Sequence, residues 1–214
     1  MLSKTTAKCG GFFCSESAAK TGWIDAVLVV LITAILQLGG EIFYLDVNQQ
    51  GLSFAAGWVT GHWVHLNWSH YVLDVGTLLM LMYLLRPGRT EFWLISGVLT
   101  IGVSAALIGF NQMEAANITR YAGLSGVLHG LCVFFAASRL KEANLAGFDR
   151  MTAWLLLVGV VIKVALEQMD VGISPETEQL IGAVVVTKAH LDGAVIAGCL
   201  FLMRLALTDR KKAG

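Results

Sequence analysis

The stretch Gly123-Leu-Ser-Gly-Val-Leu-His-Gly-Leu-Cys-Val-Phe-Phe-Ala-Ala-Ser-Arg-Leu140 decides how this chain is read. It is an apolar run that opens on small residues, carries Ser125 and His129 near its start and stops at Arg139. From Ser125 to Arg139 a helix rises by about 21 Å at 1.5 Å per residue. The hydrocarbon core of a bilayer is roughly 30 Å thick. A segment stopped by Arg139 at one membrane face therefore places Ser125 several ångströms short of the other. Glycines on both sides of the serine, Gly123 and Gly126, let a second backbone come close and leave the hydroxyl unobstructed.

Five further apolar runs flank this one. The six segments are Trp23–Leu45, Trp68–Leu85, Phe92–Phe110, Gly123–Leu140, Thr152–Leu166 and Ala189–Leu207. Hydrophobic residues make up 56% of the chain and charged ones 14%, with mean hydropathy +0.69. That charge content is far below the roughly 25% of a soluble domain, so the apolar excess has to face lipid. The basic residues sort by side. Lys4, Lys8, Lys20, Arg86, Arg89, Arg139, Lys141, Arg150, Arg204, Arg210, Lys211 and Lys212 fall on one face of a six-span arrangement, while Arg120 and Lys188 fall on the other and Lys163 lies within the fifth span. By the positive-inside rule both termini are then cytoplasmic. The expected fold is an all-α membrane protein, a bundle of six transmembrane helices over residues 23–207. A cytoplasmic tail of residues 1–22 precedes it and a basic tail of 208–214 follows.

Asp46–Asn67 carries Phe54, Trp58 and Trp63 and suits a segment lying in the outer interface, where Trp rings are favoured. No basic face fits nucleic acid, and no glycine loop fits a nucleotide. Cys9 and Cys14 form a loose pair in the tail, and Cys132 and Cys199 read as small buried thiols.

Ionisable groups inside a membrane are functional candidates. Lys188-Ala-His-Leu-Asp-Gly-Ala-Val-Ile-Ala-Gly198 opens the sixth segment with His190, on the same side and at the same depth as Ser125. Ala122, Gly126 and Gly130 form a small-residue stripe on the fourth segment. Ala189, Gly193 and Ala197 form one on the sixth, and such stripes let helices approach closely. The packing that joins the helices would bring nucleophile and base together. The start of the fourth helix supplies free N–H groups for an oxyanion. In Gly61-His-Trp-Val-His-Leu-Asn-Trp-Ser-His-Tyr-Val-Leu-Asp74, His70 and Asp74 share a helix face and are further oxyanion donors, Asp74 only if protonated. His62, His65 and His70 are alternatively a metal set, although their spacing lacks an i, i+4 pair. Asp192 points nearly opposite to His190 along its helix and is not expected to orient it. His129, one turn below Ser125, supports the site or fills a polar pocket.

Gly123-Leu-Ser-Gly126, Ala189-His190 followed by Gly193, and His65-x4-His70 together resemble the rhomboid intramembrane serine proteases. The longer strings Gly-Leu-Ser-Gly-Val-Leu-His-Gly and His-Leu-Asn-Trp-Ser-His look closest to the rhombosortase subgroup. The resemblance implies that Ser125 is the nucleophile and His190 the general base. The oxyanion site would be His70 and the Ser125 N–H, in a dyad without an essential aspartate and without a cofactor or metal. Asp74 stands where the family has an oxyanion asparagine. The resemblance further implies a bacterial inner-membrane protease with its site open to the periplasm. Its partners would be membrane-anchored proteins whose tail holds Gly-Gly, a C-terminal transmembrane helix and basic residues. A catalytically inactive helix-binding relative and a small transporter are the rival readings.

Overall fold

The computed structural model describes residues 22–110, 112–115, 118–169, 171 and 175–213. The tail of residues 1–21, with its lysines, Cys9 and Cys14, and also Asp170, lie outside the described residues, as do the side chains of Glu114, Lys211 and Lys212. The described chain is mostly helical. Its order is α1 (Trp23–Gly39), a 3-10 turn (Gly40–Phe43), β1 (Leu45–Asp46), α2 (Gly51–Thr60), α3 (Trp68–Leu85), α4 (Arg89–Gly109) and α5 (Gln112–Ala115). There follow β2 (Arg120–Tyr121), α6 (Ser125–Leu140), α7 (Gly147–Glu167), α8 (Pro175–Ile181) and α9 (Thr187–Ala213).

Among the described residues, four helices are long and apolar enough to cross a membrane: Trp23–Phe43, Trp68–Leu85, Arg89–Gly109 and Thr187–Arg210. The surface of α1 is consistent with that, exposing Ile24, Leu28, Leu31, Ile35 and Leu38, and α7, outside these four, also exposes Met151, Trp154, Leu155, Val158 and Ile162. Contiguous apolar faces of this extent are costly in water and cost nothing against lipid chains. Cys199 also faces outward, unlike Cys132, so only one of the two thiols is a core residue.

α6 lies at the centre. Val127, Leu128, Leu131, Phe134, Phe135 and Ala136 are all buried, around a core shared with Leu78, Leu81, Phe92 and Leu99. Its nearest neighbour is α9, which runs parallel to it. A Cβ on Gly126 would meet the Ala189 carbonyl oxygen at 2.9 Å, and one on Gly130 would meet the Gly193 oxygen at 2.8 Å. A Cβ on Gly193 would fall inside the Gly126 carbonyl. Small residues at these points are a condition of the contact. Ala122 is not part of the seam. It precedes the helix and packs with Tyr44 and Val64.

The far end of the bundle is held by ion pairs. Arg204 bridges Glu91 at 2.7 Å and donates to Ser138 Oγ at 3.0 Å. Arg89 pairs with buried Asp25 at 2.9 Å, which also accepts from the Trp93 indole at 3.0 Å.

The expected boundaries move at several points. α4 begins at Arg89, α6 at Ser125, and α7 runs from Gly147 to Glu167. Residues 208–213 are helical and continue α9. A short antiparallel pair, Leu45↔Tyr121 and Asp46↔Arg120, interrupts an otherwise helical fold. It fastens the chain before α6 to the turn after α1. Arg120 adds ion pairs to Asp46 at 3.0 Å and Glu41 at 2.6 Å. α2 packs below, where a Cβ on Gly57 would touch the Tyr44 carbonyl at 2.7 Å.

Candidate active site

The segment leading into α6 is fixed before the helix begins. The Gly123 N–H donates to the Gly61 carbonyl at 2.9 Å, and the Tyr121 hydroxyl donates to the Gly123 carbonyl at 3.0 Å. Gly123 has φ +137°, a conformation open to glycine, and a Cβ there would strike the His70 ring at 2.7 Å. The next N–H, of Leu124, donates to Asp74 Oδ2 at 2.8 Å. Ser125 is then the first residue of a buried helix. The N–H groups of that first turn have no carbonyl one turn back to bind, and the positive end of the helix dipole lies there.

Ser125 Oγ lies 2.9 Å from His190 Nε2. His190 enters from the first turn of α9, beside Ala189, whose carbonyl touches Gly126. Its other ring nitrogen, Nδ1, lies 2.7 Å from Glu167 Oε2 at the last turn of α7. A carboxylate only accepts, so Nδ1 carries the proton and Nε2 presents its lone pair to the serine hydroxyl. Lys163 donates to the other oxygen of Glu167, one turn back on α7, and also to His129 Nε2 at 3.1 Å. His129 Nδ1–H in turn donates to the Ser125 carbonyl at 2.6 Å. The rings of His129 and His190 stack at 4.1 Å and 14°. Ser125, His190, Glu167, Lys163 and His129 thus close a ring of hydrogen bonds drawn from three helices.

The other flank of Ser125 is built from α3 and the segment that leads into it. His65 Nε2 and His70 Nε2 lie 3.4 and 3.3 Å from the same Asp74 oxygen that accepts the Leu124 N–H. His65 is fully buried and stacks edge-on against His70 at 5.1 Å. Asp74 Oδ2 thus acts as an acceptor that anchors the backbone just before Ser125. His70 Nε2 faces Asp74, and the first N–H groups of α6 lie beside the serine.

Two cavities meet at Ser125. One, of about 200 Å³, is lined by His70, Asp74, Ser125, Lys163, Glu167 and His190, with Ile181 and Val185 above them. The other, of about 210 Å³, runs along Leu66, Arg120, Tyr121 and Val186 and shares His70, Ser125, Ile181 and Val185 with the first. α8 is tied over this region by the Asn67 amide, which donates to the Leu180 carbonyl at 3.2 Å.

The structure disperses the alternative metal set. His62 turns to Ser104 Oγ at 2.9 Å and lies against the Tyr121 ring, away from His65 and His70. Among the described residues, His129, Glu167 and His190 are the group whose ligand atoms all lie within 4.8 Å of one another. Stacked, nearly parallel rings direct their lone pairs side by side, whereas a tetrahedral ion needs them to converge. The Lys163 ammonium also occupies the space between His129 and Glu167. The arrangement fits an internal cation better than a metal.

Asp192 accepts from Gln112 at 3.3 Å and takes no part in orienting His190, as its position along α9 implies. The carboxylate that meets His190 is Glu167, and sequence reasoning missed it because the fifth apolar segment ends at Leu166. A signal was available. Lys163 within a span requires a partner, and Glu167 stands four residues on, on the same face. No family model, no curated protein and no solved structure matches this chain, so its functional reading rests on the geometry of these residues.

Proposed function

We propose that this chain is an intramembrane serine endopeptidase of the rhomboid kind. The observation that carries the reading is the Ser125–His190 hydrogen bond at the start of a buried helix, beside a cavity. In the reaction, Ser125 Oγ attacks the scissile carbonyl while its proton passes to His190 Nε2. The oxyanion lies against N–H groups of the first turn of α6. His190 then gives that proton to the leaving amine. A water, deprotonated by the same imidazole, hydrolyses the acyl-serine and releases the enzyme.

The six-span arrangement belongs to this proposal. To the four long apolar helices it adds α6, which is apolar and 16 residues long, and α7 with 21 residues. These give about 24 and 32 Å of helix. The shortness of α6 leaves its first residue inside the bilayer with cavities above it. Both termini would be cytoplasmic, with Ser125 open to the periplasmic side of a bacterial inner membrane. The substrates would be membrane-anchored proteins with a C-terminal transmembrane helix, of the Gly-Gly tail type that the motif resemblance suggests. A labelled fluorophosphonate is the direct test. Wild type in proteoliposomes should be labelled at Ser125 and Ser125→Ala should not; an unlabelled wild type would remove the serine mechanism. A reporter active only in the periplasm, fused after Gly214, should stay silent, and a strong signal would overturn the six-span topology.

A further inference from the structure

Resting on that reading of the site, we propose that Glu167 is the positioning residue of His190. Lys163 is the device that makes this position sensitive to the chemistry of residue 167. The two oxygens of Glu167 are both committed. Oε2 accepts from His190 Nδ1, and Oε1 accepts from the Lys163 ammonium. Both partners are donors, and a carboxylate is the side chain of this length that accepts from both at once. The consequence for His190 is its tautomer. With the proton held on Nδ1, Nε2 is free to receive the proton of Ser125; with the proton on Nε2, the imidazole is a donor toward Oγ and no base.

Glu167→Gln separates these demands without changing shape. The amide has one acceptor and one donor end. Lys163 has no acceptor capacity, so the amide oxygen turns to Lys163 and its NH2 faces His190. An NH2 donating to Nδ1 requires the lone pair there and so places the ring proton on Nε2. Glu167→Gln therefore inverts the tautomer through Lys163. Removing that lysine should release the constraint: in Glu167→Gln/Lys163→Met the amide is free to turn its oxygen to His190. The double variant should then be more active than Glu167→Gln alone. A merely structural role for Glu167 does not produce this rescue.

Two readouts on the full-length protein in detergent or liposomes test the inference. Nitrogen-15 histidine NMR reads the tautomer of His190, assigned by loss of its signal in His190→Ala, and does so whether or not the protein cleaves anything. Wild type should show Nδ1–H, Glu167→Gln should show Nε2–H, and the double variant should return toward Nδ1–H. Turnover of a model membrane substrate should fall on the order of 10²-fold or more in kcat for Glu167→Gln, with KM little changed, as expected when the imidazole is held in the wrong tautomer. Glu167→Asp, which keeps both acceptors, should restore part of it. Nε2–H in wild type, or Glu167→Gln with kcat within about threefold of wild type while Ser125→Ala is dead, would overturn the proposal. If the NMR pattern is as stated and no serine labelling occurs, the positioning role stands and the protease reading falls.

Discussion

Asp74 and Glu167 flank Ser125 from opposite sides, and each is a buried carboxylate beside two histidines. Asp74 gathers its contacts on one oxygen: the Leu124 N–H donates to Oδ2, and His65 Nε2 and His70 Nε2 lie 3.4 and 3.3 Å from it. Glu167 divides its donors between two oxygens, one for His190 and one for Lys163. The Asp74 cluster holds the backbone that carries Ser125, while the Glu167 cluster holds the ring that faces it. Damage on the first side should appear as lost structure, and damage on the second as lost rate in an intact fold. The residue between them should matter most.

The largest effect is therefore expected at the pair itself. Ser125→Ala and His190→Ala should each lower cleavage in proteoliposomes by at least about 10³-fold. The double variant should be no worse than either single, as for residues acting as a unit. Substantial turnover by Ser125→Ala would end the comparison, because neither flank would then be serving a nucleophile. Next is Asp74→Leu. It strips the acceptor from a buried N–H and two buried imidazoles, a loss of about 3 kcal/mol or more. Thermal unfolding should register this directly, and activity should fall with it. Glu167→Gln should leave the unfolding temperature nearly unchanged.

These two flanks were unequally legible in the sequence. The apolar segments, the small-residue seam and the placement of Ser125 and His190 at one end of it follow from local pattern, since helix period and glycine spacing are local properties. Glu167 stands one residue beyond an apolar run and reads as a loop acid until Lys163 is asked for its partner. The use of Asp74 was not legible at all. Its closest partner is a backbone N–H fifty residues away, and every residue but proline has one, so no residue type marks it. The β1–β2 pair was missed for the same reason, being two residues a side with no alternating pattern long enough to see.

A smaller effect should come from the seam that unites the flanks. A methyl on Gly193 has no room against the Gly126 carbonyl, so Gly193→Ala must push α9 from α6 and with it His190 from Ser125. Overpacking of this kind typically costs 1–3 kcal/mol. Gly198→Ala on the same helix, where nothing lies within 4 Å of the added Cβ, is the control and should be nearly silent. Equal losses in cleavage from the two variants would mean that helix stability and not the α6–α9 approach sets the site.

The smallest effect, and the sharpest contrast, is expected of Asp74→Asn. It is the same isosteric exchange of carboxylate for amide as Glu167→Gln, made on the other flank. The Leu124 N–H and the two facing imidazoles meet only one acceptor oxygen, and an asparagine can turn its carbonyl to the Oδ2 position and keep all three contacts. What it loses is the charge on that acceptor, which weakens each bond and costs on the order of 1 kcal/mol. Its NH2 goes to the Oδ1 position, where it meets none of the three. Asp74→Asn should therefore fold, label at Ser125 and cleave at a rate close to wild type, while Glu167→Gln folds and fails. A pH–rate profile of both variants beside wild type makes the test strict. If Asp74→Asn is dead across the range, the carboxylate is needed in its ionised form. The charge on Asp74, and not merely its acceptor oxygen, would then hold His65 and His70, and the two flanks would be alike in kind.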